Sequence, residues 1–196
     1  MPSSLFVAYA LLGALFSAPR EIDAMRLLDF SSQEGASASI WRPIHDGVMG
    51  GLSSGLVSDT EEGVRFVGKV SLENNGGFAS FRASVPAREL SAFDSLRLRV
   101  RGDGQIYKLS LRTSNAWDGV SWQTSFETEA DTWTEVVLDF DAFQPTWRGR
   151  IVPNVPALDP STVRQIGLLI ADKQSGDFAL ELAFVEAVPQ VPSAFS

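Results

Sequence analysis

The chain has 196 residues, a net charge of −8, 44% hydrophobic residues and 20% charged residues. That balance fits one globular domain, excludes disorder and collagen, and argues against nucleic acid as a partner, since non-specific binding to it needs a basic field. There is no cysteine and one histidine, His45, which excludes disulfide scaffolds, Cys-ligated zinc, iron–sulfur clusters, thiol catalysis and multi-histidine metal sites. In chain order, the first feature is an apolar run, Leu5–Ala18, with the length of a signal-peptide core and too short for a comfortable transmembrane helix. No Lys or Arg precedes it, and Phe16 occupies the −3 position of a cut after Ala18, where a small residue is wanted. Residues 1–24 are read as an export signal, as sequence upstream of a start at Met25, or as a buried helix. Export follows from the first reading and a cytoplasmic location from the second; a mitochondrial transit signal is poorly matched, with no Arg before Arg20.

From Met25 onward, short alternating segments recur between Gly, Pro, Asn and Asp signals. Strands are expected at Arg26–Phe30, Val64–Leu72, Gly77–Ala83, Ser95–Arg101, Gln105–Thr113, Val120–Glu127, Thr134–Phe140, Arg164–Ala171 and Phe178–Val188. Glu73-Asn74-Asn75-Gly76 reads as the tip of a tight hairpin. Gly102-Asp103-Gly104 reads as a second turn, which also accounts for the Arg-Gly-Asp tripeptide there. Ala87–Phe93 has room for one helical turn. Nine or ten strands without alternating helices predict an all-β fold, an antiparallel β-sandwich or jelly roll spanning residues 25–188, with no transmembrane span. Gln144–Ser161, carrying four prolines, reads as a long irregular connection, and residues 189–196 as a frayed tail.

No dinucleotide fingerprint, P-loop or G-x-S-x-G elbow is present. Asp46, Asp139 and Asp172 lack the spacing of a metal-ligand loop. No catalytic residues, cofactor or metal are therefore expected. The informative segments are Trp41–Ser54, WRPIHDGVMGGLSS, then Phe66–Leu72, FVGKVSL, and Asn75–Ser80, NGGFAS. Asp46, Gly47, Met49, Gly50, Gly51 and Ser53, with Asn75, Gly76, Gly77 and Phe78, reproduce a pattern that resembles the complex I intermediate-associated protein 30 family. The glycines at these positions suit close backbone approach or positive φ, so the motif reads as structural. Downstream, Tyr107, Trp122-Gln123, Trp133, Arg148-Gly149 and Ile166–Lys173 also fit, so the resemblance covers about Leu28–Val188. It implies a galactose-binding-like domain and a non-enzymatic, chaperone-like role, binding respiratory-complex subunits or assembly factors during membrane-complex assembly. The alternative is a carbohydrate-binding module on the same fold.

Two surfaces are candidates for a partner. Alternation sets Arg97, Arg99 and Arg101 on one strand face, and a hairpin at Gly102–Gly104 would bring Lys108 and Arg112 to the same face. The competing reading pairs these cations with the acidic stretch Glu127–Asp141. Trp117 and Trp147, beside Asp118 and Arg148, are candidates for stacking on a glycan, whereas Trp122 and Trp133 read as core residues.

Overall fold

The computed structural model describes residues 23–32, 35–116 and 118–189. The apolar run Leu5–Ala18, Trp117 and residues 190–196 lie outside them. Among the described residues, thirteen strands form two antiparallel sheets. The strands are β1 Met25–Asp29, β2 Trp41–His45, β3 Ser54–Asp59, β4 Val64–Val70, β5 Ala79–Ser84, β6 Ser95–Arg101 and β7 Ile106–Arg112. They continue as β8 Ser121–Glu127, β9 Trp133–Asp139, β10 Gln144–Trp147, β11 Arg150–Ile151, β12 Gln165–Ile170 and β13 Gly176–Val188. The six-stranded sheet runs β3-β4-β13-β6-β9, with β1 also on β13; the seven-stranded sheet runs β11-β10-β8-β7-β12-β5-β2.

The two sheets bury their facing sides against each other. Leu96, Leu98 and Val100 of β6, and Leu180, Leu182, Val185 and Ala187 of β13, meet Tyr107, Leu109 and Leu111 of β7 and Ile166, Leu168 and Ile170 of β12 in one core. Aromatic rings cross between the sheets: Trp41 of β2 stands edge-on to Phe66 of β4 with centroids 4.9 Å apart, and Phe66 lies 5.0 Å from Phe81 of β5. Such offset and edge contacts suit the ring quadrupoles.

Two expected hairpins are corrected. The segments flanking Glu73–Gly76 are not paired: β4 belongs to one sheet and β5 to the other. Asn74 and Asn75 have the positive φ expected of a turn, 53° and 59°, but the turn carries the chain across the sandwich. Gly102–Gly104 does the same between β6 and β7. Here Asp103 ties the crossing down: its carboxylate accepts from Gln105 N–H at 3.1 Å, Tyr107 O–H at 3.0 Å and Ala179 N–H at 2.8 Å. Ala87–Phe93 holds a turn closed by Phe93 N–H to Leu90 C=O rather than a helix. The expected long connection contains β10, β11 and the short 3₁₀ turn Pro160–Thr162. β2 and β10 carry Pro43 and Pro145, which masked them as strands; β2 is an edge, where a missing N–H is tolerated.

Candidate functional site

The motif Asp46–Ser53 forms a knot. Asp46, 2% exposed, opens the 3₁₀ turn Asp46–Met49, which Gly50 ends in the left-handed conformation at φ 87°. One carboxylate oxygen of Asp46 accepts from Ser53 N–H at 3.0 Å; the other accepts from Ser53 Oγ at 2.5 Å, Gly77 N–H at 2.8 Å and Phe78 N–H at 3.3 Å. Ser53 Oγ in turn accepts from Ser71 N–H at 3.0 Å. A Cβ on Gly51 would stand 2.4 Å from the Asp46 carboxyl carbon, and one on Gly76 would stand 2.7 Å from its Oδ2. Burial pushes the Asp46 carboxyl up, but the bonds from Ser53, Gly77 and Phe78 outweigh it and hold the pKa below the usual value. Gly47, Met49, Asn75 and Phe78 contribute backbone to the same two segments.

The outer face of the six-stranded sheet carries Arg97, Arg99 and Arg101, and its charges are mostly consumed internally. Arg97 Nε donates to Glu186 at 2.6 Å, and Arg101 Nε to Glu181 at 2.9 Å. Both glutamates are buried. Arg26 reaches Glu186 at 3.3 Å and lies over Phe184, 3.7 Å from the ring centroid. Of the acidic stretch, Glu135 approaches Arg97 at 3.7 Å; the principal counter-charges come from β13. Trp133 is half-buried on this outer face rather than in the core. It pairs with Arg101 in register and lies 5.2 Å and 5.0 Å from the Arg99 and Arg101 guanidiniums. Trp122 is in the core, its indole N–H on Pro156 C=O.

Lys108 and Arg112 do not join that face. β7 lies in the opposite sheet, so their alternation directs them to the other side of the molecule. There they share a polar face with Gln123 and with Arg82, Ser110 and Gln165, which lie outside the motifs of the sequence; the alternation Ala79, Phe81, Ala83 against Ser80, Arg82, Ser84 marks Arg82 as outward. Gly167 stands opposite both Arg82 and Ser110, so the centre of this row carries no side chain, and Gly167 itself is buried. Arg112 is 6% exposed, and its Nη2 donates to Gly119 C=O at 3.0 Å. Its Nε has no hydrogen-bond partner among the described residues, and neither does Oε1 of Gln165, which is opposite Arg112 in register. Burial, then the charge of Arg112, holds Arg82 down at about 10, with Asp118 opposing; burial also lowers Arg112.

At the end of this sheet the structure joins the two loops flagged from sequence. Arg148 and Gly149, both at positive φ, make the two-residue turn between β10 and β11. Arg148 Nη2 and the Trp147 indole N–H donate to the Asp118 carboxylate at 2.8 Å and 3.0 Å. These bonds, led by that from Arg148 and joined by Gly119 N–H, hold Asp118 at about 2. Trp147 is exposed, with Arg148 over its ring at 4.8 Å. Among the described residues, no group of three or more His, Asp or Glu side chains is placed to hold a metal ion.

Two packed antiparallel sheets with these crossings define a β-sandwich of the galactose-binding-like class. It superposes on the family 11 carbohydrate-binding module of a Clostridium thermocellum cellulosomal cellulase with a TM-score of 0.65 at 17% identity, over 89% of this chain and 99% of that one. The same module in complex with a mixed-linked tetrasaccharide gives 0.63 at 16% identity, over 86% and 97%. Residues 28–182 match the family model of complex I intermediate-associated protein 30, and the chain belongs to that family. Uncharacterized protein C9E9.15 of Schizosaccharomyces pombe is 28% identical over 185 residues, 84% of each chain. Complex I intermediate-associated protein 30 of Mus musculus is 30% identical over 99 residues, and its probable counterpart in Caenorhabditis elegans 32% over 98. The matched parts are 48% and 47% of this chain, but 30% and 28% of those proteins.

Proposed function

We propose that the chain is a non-enzymatic assembly factor that binds protein subunits, in a chaperone-like manner, during construction of a respiratory membrane complex. The family match across residues 28–182 carries this reading. The polar outer face of the seven-stranded sheet supports it: buried polar groups without partners are costly, and a docked partner offsets that cost. Affinity capture of the tagged full chain from its own cells is expected to recover respiratory-complex subunits or their assembly factors. Capture of neither, with folded chain at normal abundance, overturns the reading.

A second reading, glycan binding, is favoured by one arrangement. Exposed Trp147 sits beside Asp118 and Arg148, and a sugar ring stacks on an aromatic face while polar neighbours bind its hydroxyls. A glycan array with Trp147→Ala and Trp117→Ala controls tests it; absence of signal for every glycan removes it.

A further inference from the structure

We infer that the outer face of the seven-stranded sheet takes a carboxylate at Arg112, supplied by an acidic side chain of the protein partner. This inference rests on the protein-binding reading above. Two buried polar atoms on neighbouring strands, Arg112 Nε and Gln165 Oε1, have no hydrogen-bond partner among the described residues. Arg112 is 6% and Gln165 8% exposed, so the chain holds both largely out of water at a cost. The groups belong to an outward face, not to the core, and Gly167 in the adjoining row carries no side chain. Of the two, Arg112 Nε is the donor and asks for a ligand atom that accepts from it.

Charge selects the kind of acceptor. Arg82 lies one strand beyond Gln165 in the sheet order, and Arg42 of β2 faces Arg82 in register. Nearby carboxylates are already engaged: Asp118 with Arg148 and Trp147, and Asp172 with Lys108 at 2.9 Å. An anion is therefore worth more here than a neutral hydroxyl, because it offsets the repulsion between clustered cations and makes a charge-assisted bond. The Gln165 amide can rotate to turn its Nε2–H₂ towards the same anion, since amide orientation follows the local network.

The test follows the Arg112 side-chain Nε–Hε signal of the full chain by ¹⁵N NMR at low salt. The probes are acetyl-tetraglutamate amide, the tetraglutamine equivalent and a neutral β-glucan tetrasaccharide. A saturable shift with tetraglutamate alone is expected. Followed by the backbone amide of Gln165, which faces Arg112 in register, binding should weaken about tenfold in Arg112→Lys, as removal of a bond to a charged group does, and Arg97→Gln on the opposite face should change it less than about twofold. Gln165→Glu supplies the carboxylate within the chain, so it should raise the thermal midpoint and abolish tetraglutamate binding. This variant keeps the test decisive should Arg112→Lys fail to fold. An equal shift with tetraglutamine or with the tetrasaccharide overturns the inference, as does no shift, an equal loss from Arg97→Gln, or a lowered midpoint in Gln165→Glu. Peptide binding without capture of any respiratory subunit leaves this site and removes the assembly reading. Capture without peptide binding does the reverse.

Discussion

Four donors converge on the Asp46 carboxylate, two from Ser53 and one each from Gly77 and Phe78. They join the Asp46–Ser53 segment to Gly77 and Phe78, which lie 31 and 32 positions from Asp46 in sequence. Removing the acceptor strands several backbone N–H groups, each costly when buried. Asp46→Ala is expected to lower stability by about 3 kcal/mol, and Asp46→Asn by less, read as a shift of the urea midpoint with unchanged slope. The same carboxylate sets a pH dependence. A carboxyl with a depressed folded pKa adds stability that is fully present above its ordinary value of about 3.9 and is lost as pH falls through the folded value. Asp46→Asn should therefore flatten the fall in stability below about pH 4, measured as urea midpoints along a pH series. The DGVMGG and NGGFAS segments were visible in the sequence as a pattern, and their glycines as structural. That one aspartate unites them was not visible, because hydrogen-bond partners distant in sequence follow from the sheet crossing.

At the level of elements, β13 shows how a small irregularity organises a surface. Glu181 and Glu186 are five positions apart, and in a regular strand they would point to opposite faces. The pairing of β13 with β6 shifts register between Leu182 and Phe184, leaving Ala183 as an extra residue. Glu181 then faces Arg101 and Glu186 faces Arg97, while Leu182, Val185 and Ala187 keep to the core. The phase change is legible in the sequence as Phe178, Leu180, Leu182 followed by Val185, Ala187; its consequence for the arginines needs the partner strand. Arg101→Met leaves Glu181 buried without its main counter-charge and should cost about 1–2 kcal/mol, below a fully buried pair because the arginine side is partly in water. Arg101→Met with Glu181→Met should recover most of that loss; a double-mutant cycle by thermal denaturation checks the coupling. β2, β3, β10 and β11 escaped the sequence reading for a common reason. Prolines, glycines and short lengths erase the period-2 signal that the longer strands carry.

For the whole molecule, the aromatic contacts Trp41–Phe66–Phe81 bridge the two sheets, so neither sheet keeps a covered inner face without the other. A single cooperative unfolding transition is expected, with near- and far-ultraviolet circular dichroism falling together. Phe66→Ala should destabilise the whole domain by about 3–5 kcal/mol, the range for emptying an aromatic site in a core, seen as one shifted transition and not as loss of one sheet. Composition and period determined the broad outcome: a cysteine-free, acidic, all-β domain whose alternating strands had to bury one face, and a motif specific enough to imply its family. Tertiary structure alone decided which outward residues share a face. Ser95–Arg101 and Ile106–Arg112 look like arms of one hairpin because Gly-Asp-Gly between them satisfies local turn chemistry equally well for a hairpin or a crossing. The choice was made by burial across the sandwich and by Asp103 bonding to β13, interactions between residues far apart in the chain. That choice divides the arginines, leaving Arg97 and Arg101 against the glutamates of β13 and setting Arg112 beside Gln165 on the opposite face.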